Sequence, residues 1–412
     1  MKSLYYIIIQ GFNLLVRIAS IFNHKAYLFI NGRKNIFKEL REFSEGQKVL
    51  WFHCASLGEF EQGRALIVKL KKEYPNYRIL LTFFSPSGYE IRKNYKFADH
   101  VTYLPLDTPG NARKFIKLVK PDKVFFIKYE FWYFFLRELK KSRVETYLVS
   151  GIFRKDQYFF RWYGKGFRKM IDWFDYIFVQ DKPSYDLLQS YGYKNIDLSG
   201  DTRLDRVIEL VNHAKEMPLI ETFKQDQLLL VAGSTWPTDD ELLIKFYKEH
   251  QKPFKMIIAP HEVQPPNIAR LMDNLKEFNV IKYSDANKSN ISRADVLIID
   301  SIGLLSALYR YGEFAYIGGG FGKGIHNLLE AATWGIPVIF GPNYQKFKEA
   351  HELINLGGGF TINDYESLKS TLNQLLHDSK LLKEAGSKAK SYIEKNAGAT
   401  EIIFKRTFTE HS

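Results

Sequence analysis

The sequence predicts an α/β protein built from two Rossmann-like domains facing each other across a cleft. Three observations point there. At 412 residues the chain is too long for one ordinary core. Short apolar runs alternate with amphipathic stretches, as in parallel sheets covered on both faces. The alternation then pauses once, over a polar stretch at 200–218, and resumes.

Taken in order, Leu4–Phe22 is apolar but interrupted by Gln10, Asn13 and Arg17. It is close to the roughly 20 residues that a bilayer requires. The expectation is a membrane-associated helix over 1–25, interfacial or marginally spanning, with packing onto the protein as the competing reading. No convincing signal-peptide cleavage site follows it. After a basic segment at 24–48, strands are expected at Lys48–Cys54, Arg78–Phe84, Val101–Leu106, Lys123–Lys128, Glu145–Val149, Tyr176–Gln180 and Ile196–Leu198. The intervening helices include Glu59–Lys72, one opened by Ser85-Pro86, Pro109–Val119 and Phe131–Lys141. These make a first domain over 26–200, and 201–218 is the linker. A second domain over 219–412 follows, with strands at Leu228–Ala232, Met256–Ala259, Val296–Ile299, Phe314–Ile317, Val338–Phe340 and Gly359–Ile362. It closes on helices from Tyr365 to about Thr409.

The composition narrows the function. A single cysteine, Cys54, excludes disulfides and thiolate zinc sites and suits a reducing compartment. No metal-binding signature is present. The net charge of +13 is concentrated, with 16 Lys/Arg against 5 Asp/Glu between Arg113 and Lys169. Aromatic residues interleave with those charges at 131–135 and 157–167, so an acidic partner is expected, either nucleic acid or an anionic membrane.

Ligands of open parallel sheets bind beyond the carboxyl ends of the strands. The richest such segment is 316–342. There Gly318, Gly319, Gly320, Gly322 and Gly324 form a loop, His326 and Asn327 follow at an expected helix start, and Glu330 lies inside that helix. Glycines alone also permit a plain strand-to-helix turn. With His-Asn-x-x-Glu attached, the segment reads as a phosphate and ribose site for a nucleotide sugar. The other strand ends give Ser56-x-Gly58-Glu59, Glu130 after Lys128-Tyr129, Gly200-Asp201-Thr202-Arg203, Ser234-Thr235-Trp236, His261-Glu262 and Gly303. A carboxylate such as Glu59 can take a proton from an incoming hydroxyl. It could equally be a first-turn glutamate favoured by the helix dipole.

Together these segments resemble the 3-deoxy-D-manno-octulosonic acid (Kdo) transferases, glycosyltransferases of the GT-B fold. The apolar N-terminal stretch, WFHCASLGE, KYEFW, GDTRLDR, AGSTW, IAPHE, DSIGLL and YIGGGFGKGIHNLLEAATWGIPVIFGP stand in the family's order. The resemblance implies inverting transfer of Kdo from CMP-Kdo to a lipid A precursor in lipopolysaccharide synthesis. It places the chain at the cytoplasmic face of the cell inner membrane, on an anionic surface, with no cofactor, no metal and no nucleic acid. Residue by residue, it implies Glu59 as general base and Glu130 and Arg203 as acceptor or interdomain residues. Ser234, Thr235, His261, Gly303, Gly319, Gly320, His326, Asn327 and Glu330 become donor-binding residues, with Glu330 on the ribose. Three segments depart from the family pattern. Ala-Pro-His-Glu replaces Ala-Pro-Arg-His, Leu304 replaces an acidic residue, and Trp236 replaces a common histidine. Beside this reading two alternatives stay open: another GT-B enzyme such as a nucleotide-sugar 2-epimerase, which would share the cleft and glycine loop, or a non-enzymatic anionic-membrane or nucleic-acid binding protein.

Overall fold

In the computed structural model the described residues are 2–43, 46–250 and 254–409; Met1, at the start of the expected membrane helix, and 44–45 of the basic segment lie outside them. The chain divides into two units, one running to Arg206 and regained from Ala397 onward, the other Val207–Asn396.

The first unit holds seven parallel strands: β1 (Val49–Cys54), β2 (Arg78–Phe83), β3 (His100–Tyr103), β4 (Lys123–Ile127), β5 (Glu145–Gly151), β6 (Tyr176–Val179) and β7 (Ile196–Leu198). Their order is β3-β2-β1-β4-β5-β6-β7. All six residues of β1 are buried, as expected of a parallel strand covered by helices on both faces. Trp51 shows the packing on one side, its ring within 6 Å of Phe115, Phe126 and Phe135.

The second unit repeats the plan with β8 (Leu229–Thr235), β9 (Lys255–Pro260), β10 (Val280–Lys282), β11 (Val296–Ile298), β12 (Phe314–Ile317), β13 (Val338–Phe340) and β14 (Gly359–Thr361), ordered β10-β11-β9-β8-β12-β13-β14. Sequence reasoning did not find β10. It is a three-residue edge strand, half-exposed throughout, so it lacks the apolar run that betrays the others.

At the centre of each sheet the strand order reverses, between β1 and β4 in the first and between β8 and β12 in the second, which also changes direction near its edge, at β11. The carboxyl ends flanking such a reversal are where open α/β sheets bind ligands.

Two expectations about the chain ends are corrected. The helix Lys2–Ala19 has no fully buried residue, and among the described residues no helix is long and apolar enough to cross a membrane, so the marginally spanning alternative falls. The interruptions at Gln10, Asn13 and Arg17 lower its mean hydropathy. One face packs onto the first unit: Phe12 lies against Phe29 and Phe84, and the Tyr5 hydroxyl donates to buried Asp107 at 2.7 Å. Leu4, Ile7, Ile8, Leu14, Leu15 and Ile18 remain more than half exposed.

The second correction concerns the C-terminal stretch expected with the second domain. Residues from Ala397 on belong to the first unit. Ile403 is fully buried there, Phe404 and Phe408 pack on Tyr74, and Asp205 accepts the amides of Gly398 and Thr400. The expected linker, for its part, contains the helix Thr202–Asn212.

Candidate functional site

In the first unit, β1 and β4 each end in a turn bearing a carboxylate. Glu59 sits in the first turn of the helix Leu57–Glu73, half-buried. The spacing Ser56-x-x-Glu59 is that of a capping box, in which each side chain would bond the other residue's backbone amide. That box does not form: Ser56 makes no side-chain cap and its hydroxyl donates to the Glu59 carboxylate instead. Glu59 is therefore held by a single hydroxyl at the strand reversal.

Glu130 is only 6% exposed. One of its oxygens, Oε2, receives Trp132 Nε1–H at 2.6 Å and lies 3.0 Å from His53 Nε2. His53 Nδ1 meets Thr82 Oγ1 at 2.9 Å, and Thr82 in turn accepts Trp51 Nε1–H at 2.8 Å. A buried carboxylate needs such partners, because an unpaired one costs far more than its hydrogen bonds return. The thiol of Cys54, between the two turns, is pushed well up by burial and then by the carboxylates of Glu59, Glu130 and Glu61. The end of β1 thus has carboxylates on either side. Arg203, at the start of the helix after β7, grips Asp201 through Nε at 2.9 Å and Nη2 at 2.6 Å.

In the second unit the flanking strands are β8 and β12. The backbone of Ser234 turns at φ 54°, and the register between β8 and β9 shifts there, so that Thr235 pairs with Pro260 at the strand's last position and Trp236 follows just beyond it. After β12, Gly319 takes φ 91°, open to glycine at little cost. One carboxylate joins the two turns. Buried Asp239 accepts the amides of Trp236 and Gly319 on Oδ2, both at 2.9 Å, and the Tyr316 hydroxyl on Oδ1 at 2.8 Å. Burial, followed by that neighbouring carboxylate, raises the Tyr316 phenol far above its usual range, so it stays a donor.

Trp236, His261 and His326 form a ring cluster. Trp236 Nε1–H donates to His326 Nε2 at 3.1 Å. The His261 ring stacks on both partners, with centroids at 4.8 Å from Trp236 and 4.4 Å from His326. Burial, then the nearby His261, lowers the His326 pKa to about 4, leaving that ring neutral near pH 7.

The helix expected to begin at His326 begins at Leu329 and runs five residues, to Thr333. His326 stands before it, in a loop that folds back on itself. The amides of Gly322 and Gly324 donate to Gly319 O, and that of His326 donates to Gly318 O. With Gly319 bonded to Asp239, four amides of the expected anion loop are used within the protein. Gly320 packs face to face with Gly341. Asn327 caps the short helix through the Leu329 amide and donates to Glu330 Oε1 at 3.0 Å. Gly303, at φ 93°, lies on a separate exposed turn after β11.

Sequence reasoning passed over His53, Trp132 and Asp239 as site residues, and met Trp236 only as a strand-end residue and a departure from the family pattern. Asp239 carried a signal, an acid three residues into a Pro-led helix, where N-terminal amides need an acceptor.

Comparison with known proteins gives a consistent result. A family model described as 3-deoxy-D-manno-octulosonic-acid transferase matches residues 31–206. The 3-deoxy-D-manno-octulosonic acid transferase of Aquifex aeolicus is 29% identical over 342 residues, covering 81% of this chain and 88% of that protein. The protein of the same name from Rickettsia typhi is 28% identical, covering 87% of this chain and 79% of its own length. Among solved structures, a putative UDP-N-acetylglucosamine 2-epimerase from Listeria monocytogenes aligns with a TM-score of 0.59 at 14% identity, over 89% of this chain and 98% of its own. The Neisseria meningitidis UDP-GlcNAc 2-epimerase gives 0.59 at 15% identity, over 87% and 99%. At such identities these structures establish the two-domain fold alone.

Proposed function

We propose that this chain, similar over most of its length to proteins named 3-deoxy-D-manno-octulosonic acid transferase, is an inverting glycosyltransferase moving Kdo from CMP-Kdo to a lipid A precursor, with Glu59 as general base. In this reading a glucosamine hydroxyl of the acceptor attacks the anomeric carbon of Kdo. Its proton passes to Glu59, and the bond from that carbon to the CMP phosphate oxygen breaks. The second unit's turns after β8 and β12 hold the nucleotide, with Glu330 toward the ribose. Hydrogen-bond donors there oppose the charge that develops on departing CMP. The observation that carries the reading is the state of Glu59, half-exposed at the sheet's reversal and not engaged in capping. Glu130, fixed on one oxygen by Trp132 and His53, is the second acceptor-side carboxylate.

The acceptor is anionic at its phosphates and apolar in its acyl chains. The exposed apolar face of Lys2–Ala19 and the basic stretch 113–169 fit an interfacial, non-spanning attachment to an anionic membrane surface. The test is transfer of labelled Kdo from CMP-Kdo, generated in situ, to a tetra-acylated lipid A precursor, comparing wild type with Glu59→Gln. Activity that collapses in a folded variant supports both reaction and base. Equal activity removes Glu59 from that role, and a folded but inactive wild type removes the reaction.

A further inference from the structure

The hydrogen-bond inventory of the ring cluster has one solution. An indole N–H donates and cannot accept. Trp236 Nε1 at 3.1 Å therefore makes His326 Nε2 an acceptor, and the proton of the neutral imidazole must reside on Nδ1. The indole cannot easily drift, because its own backbone amide is tied to Asp239 Oδ2, the oxygen that also holds the Gly319 amide. The ring edge bearing Cδ2 and Nε2 rests near Gly319, where an added Cβ would come within 3.0–3.2 Å of those atoms. Among the described residues nothing accepts from His326 Nδ1, and the atom is not sealed from solvent. Meanwhile the loop's own amides at 319, 322, 324 and 326 already have partners inside the protein.

We propose that Trp236 is a positioning residue that fixes His326 as the Nδ1–H tautomer, and that this N–H is a side-chain hydrogen-bond donor to the nucleotide phosphate. The identity of the nucleotide rests on the function proposed above; the tautomer does not. The donor is then one imidazole N–H whose direction is set by a tryptophan in the turn between β8 and the helix Pro237–Glu249.

The test uses the full chain labelled with 15N-histidine, His326 being assigned by the signal lost in His326→Gln. At pH 7 a long-range 1H–15N correlation should show an unprotonated Nε2 and a protonated Nδ1. In Trp236→Phe, which keeps a ring for His261 to stack on but removes the indole N–H, the Nδ1–H preference should disappear. Calorimetric titration with CMP should show Kd rising about five- to tenfold in Trp236→Phe, the effect of one misdirected hydrogen bond. A proton on Nε2 in wild type overturns the proposal, as does CMP binding that is absent from wild type or equally tight in Trp236→Phe. If wild type shows the tautomer and Trp236→Phe shows the weaker CMP binding, yet wild type transfers no Kdo, this inference stands and the reaction is removed instead.

Discussion

Asp239 offers the most direct check on how the second unit builds its site. Its carboxylate receives three donors, the amides of Trp236 and Gly319 and the phenol of Tyr316, and it is 1% exposed. In Asp239→Asn the remaining carbonyl oxygen can keep both amides, while the new amide nitrogen faces Tyr316, whose hydroxyl must turn. Two charge-assisted bonds become neutral ones at a loss of about 1 kcal/mol each, so the variant should lose about 2–3 kcal/mol. Asp239→Ala leaves three buried donors unpaired at about 1–3 kcal/mol each, or roughly 6 kcal/mol in the middle of the range. That is a large share of the 5–15 kcal/mol expected for a whole domain. Hydrogen exchange read by mass spectrometry suits the question, because it follows the segments containing Trp236 and Gly319 separately from the first unit. Both segments should lose protection together, Asp239→Ala far more than Asp239→Asn, with β1 and β2 unchanged. If Asp239→Ala costs less than about 1 kcal/mol, or only one of the two turns loosens, the carboxylate does not join them.

Three further outcomes are expected. Ile403→Ala removes a fully buried side chain, at about 2–5 kcal/mol; faster exchange should appear in β1 and β2, and a loss confined to β8 and β12 would contradict the assignment of residue 403 to the first unit. Gly320→Ala would place a Cβ 2.5 Å from Gly341 Cα, a backbone clash that should cost at least about 1–3 kcal/mol in thermal unfolding; an unchanged Tm would show that the two turns can part. His326 has a folded pKa of about 4, below its ordinary 6.5, so the folded state binds fewer protons than the unfolded one between those values. Stability from keeping this ring neutral is complete above about pH 6.5 and is lost as pH falls toward 4. The difference between wild type and His326→Gln in urea should change by about 1–2 kcal/mol over that window, allowing for partial solvent screening, and a difference independent of pH would refute the shift.

The strands were legible because their carriers are local. KVLWFHC or MIIAP is a run too apolar for a surface and too short for a buried helix, and its period needs no knowledge of partners. The carboxylates after β1 and β4 were legible for the same reason, since a strand end is a local event. What escaped was decided at a distance. His53 meets Thr82 and Glu130, 29 and 77 residues along the chain, and no spacing in one sequence shows such a pairing. The helix at Ala399–Phe404 was read as helical, but its apolar face does not say which core it enters. The late helix start at Leu329 depends on the loop folding back, with Ile325 N donating to Asn343 O across a second turn. Glycines announced the loop without announcing its path.

The return of the chain to its first unit has a consequence for synthesis. Residues 207–396 are one continuous stretch, so everything the second unit contains has emerged once residue 396 leaves the ribosome. The first unit, begun earlier, is still missing Ile403, Phe404 and buried Thr407 at that moment. The order of completion is therefore expected to invert the order of translation, with the later unit closing its core while the earlier one waits. A premature stop near residue 397 would act on the beginning of the protein, leaving Tyr74 and Lys69 without the Phe404 ring and the Glu401 carboxylate they meet in the finished chain.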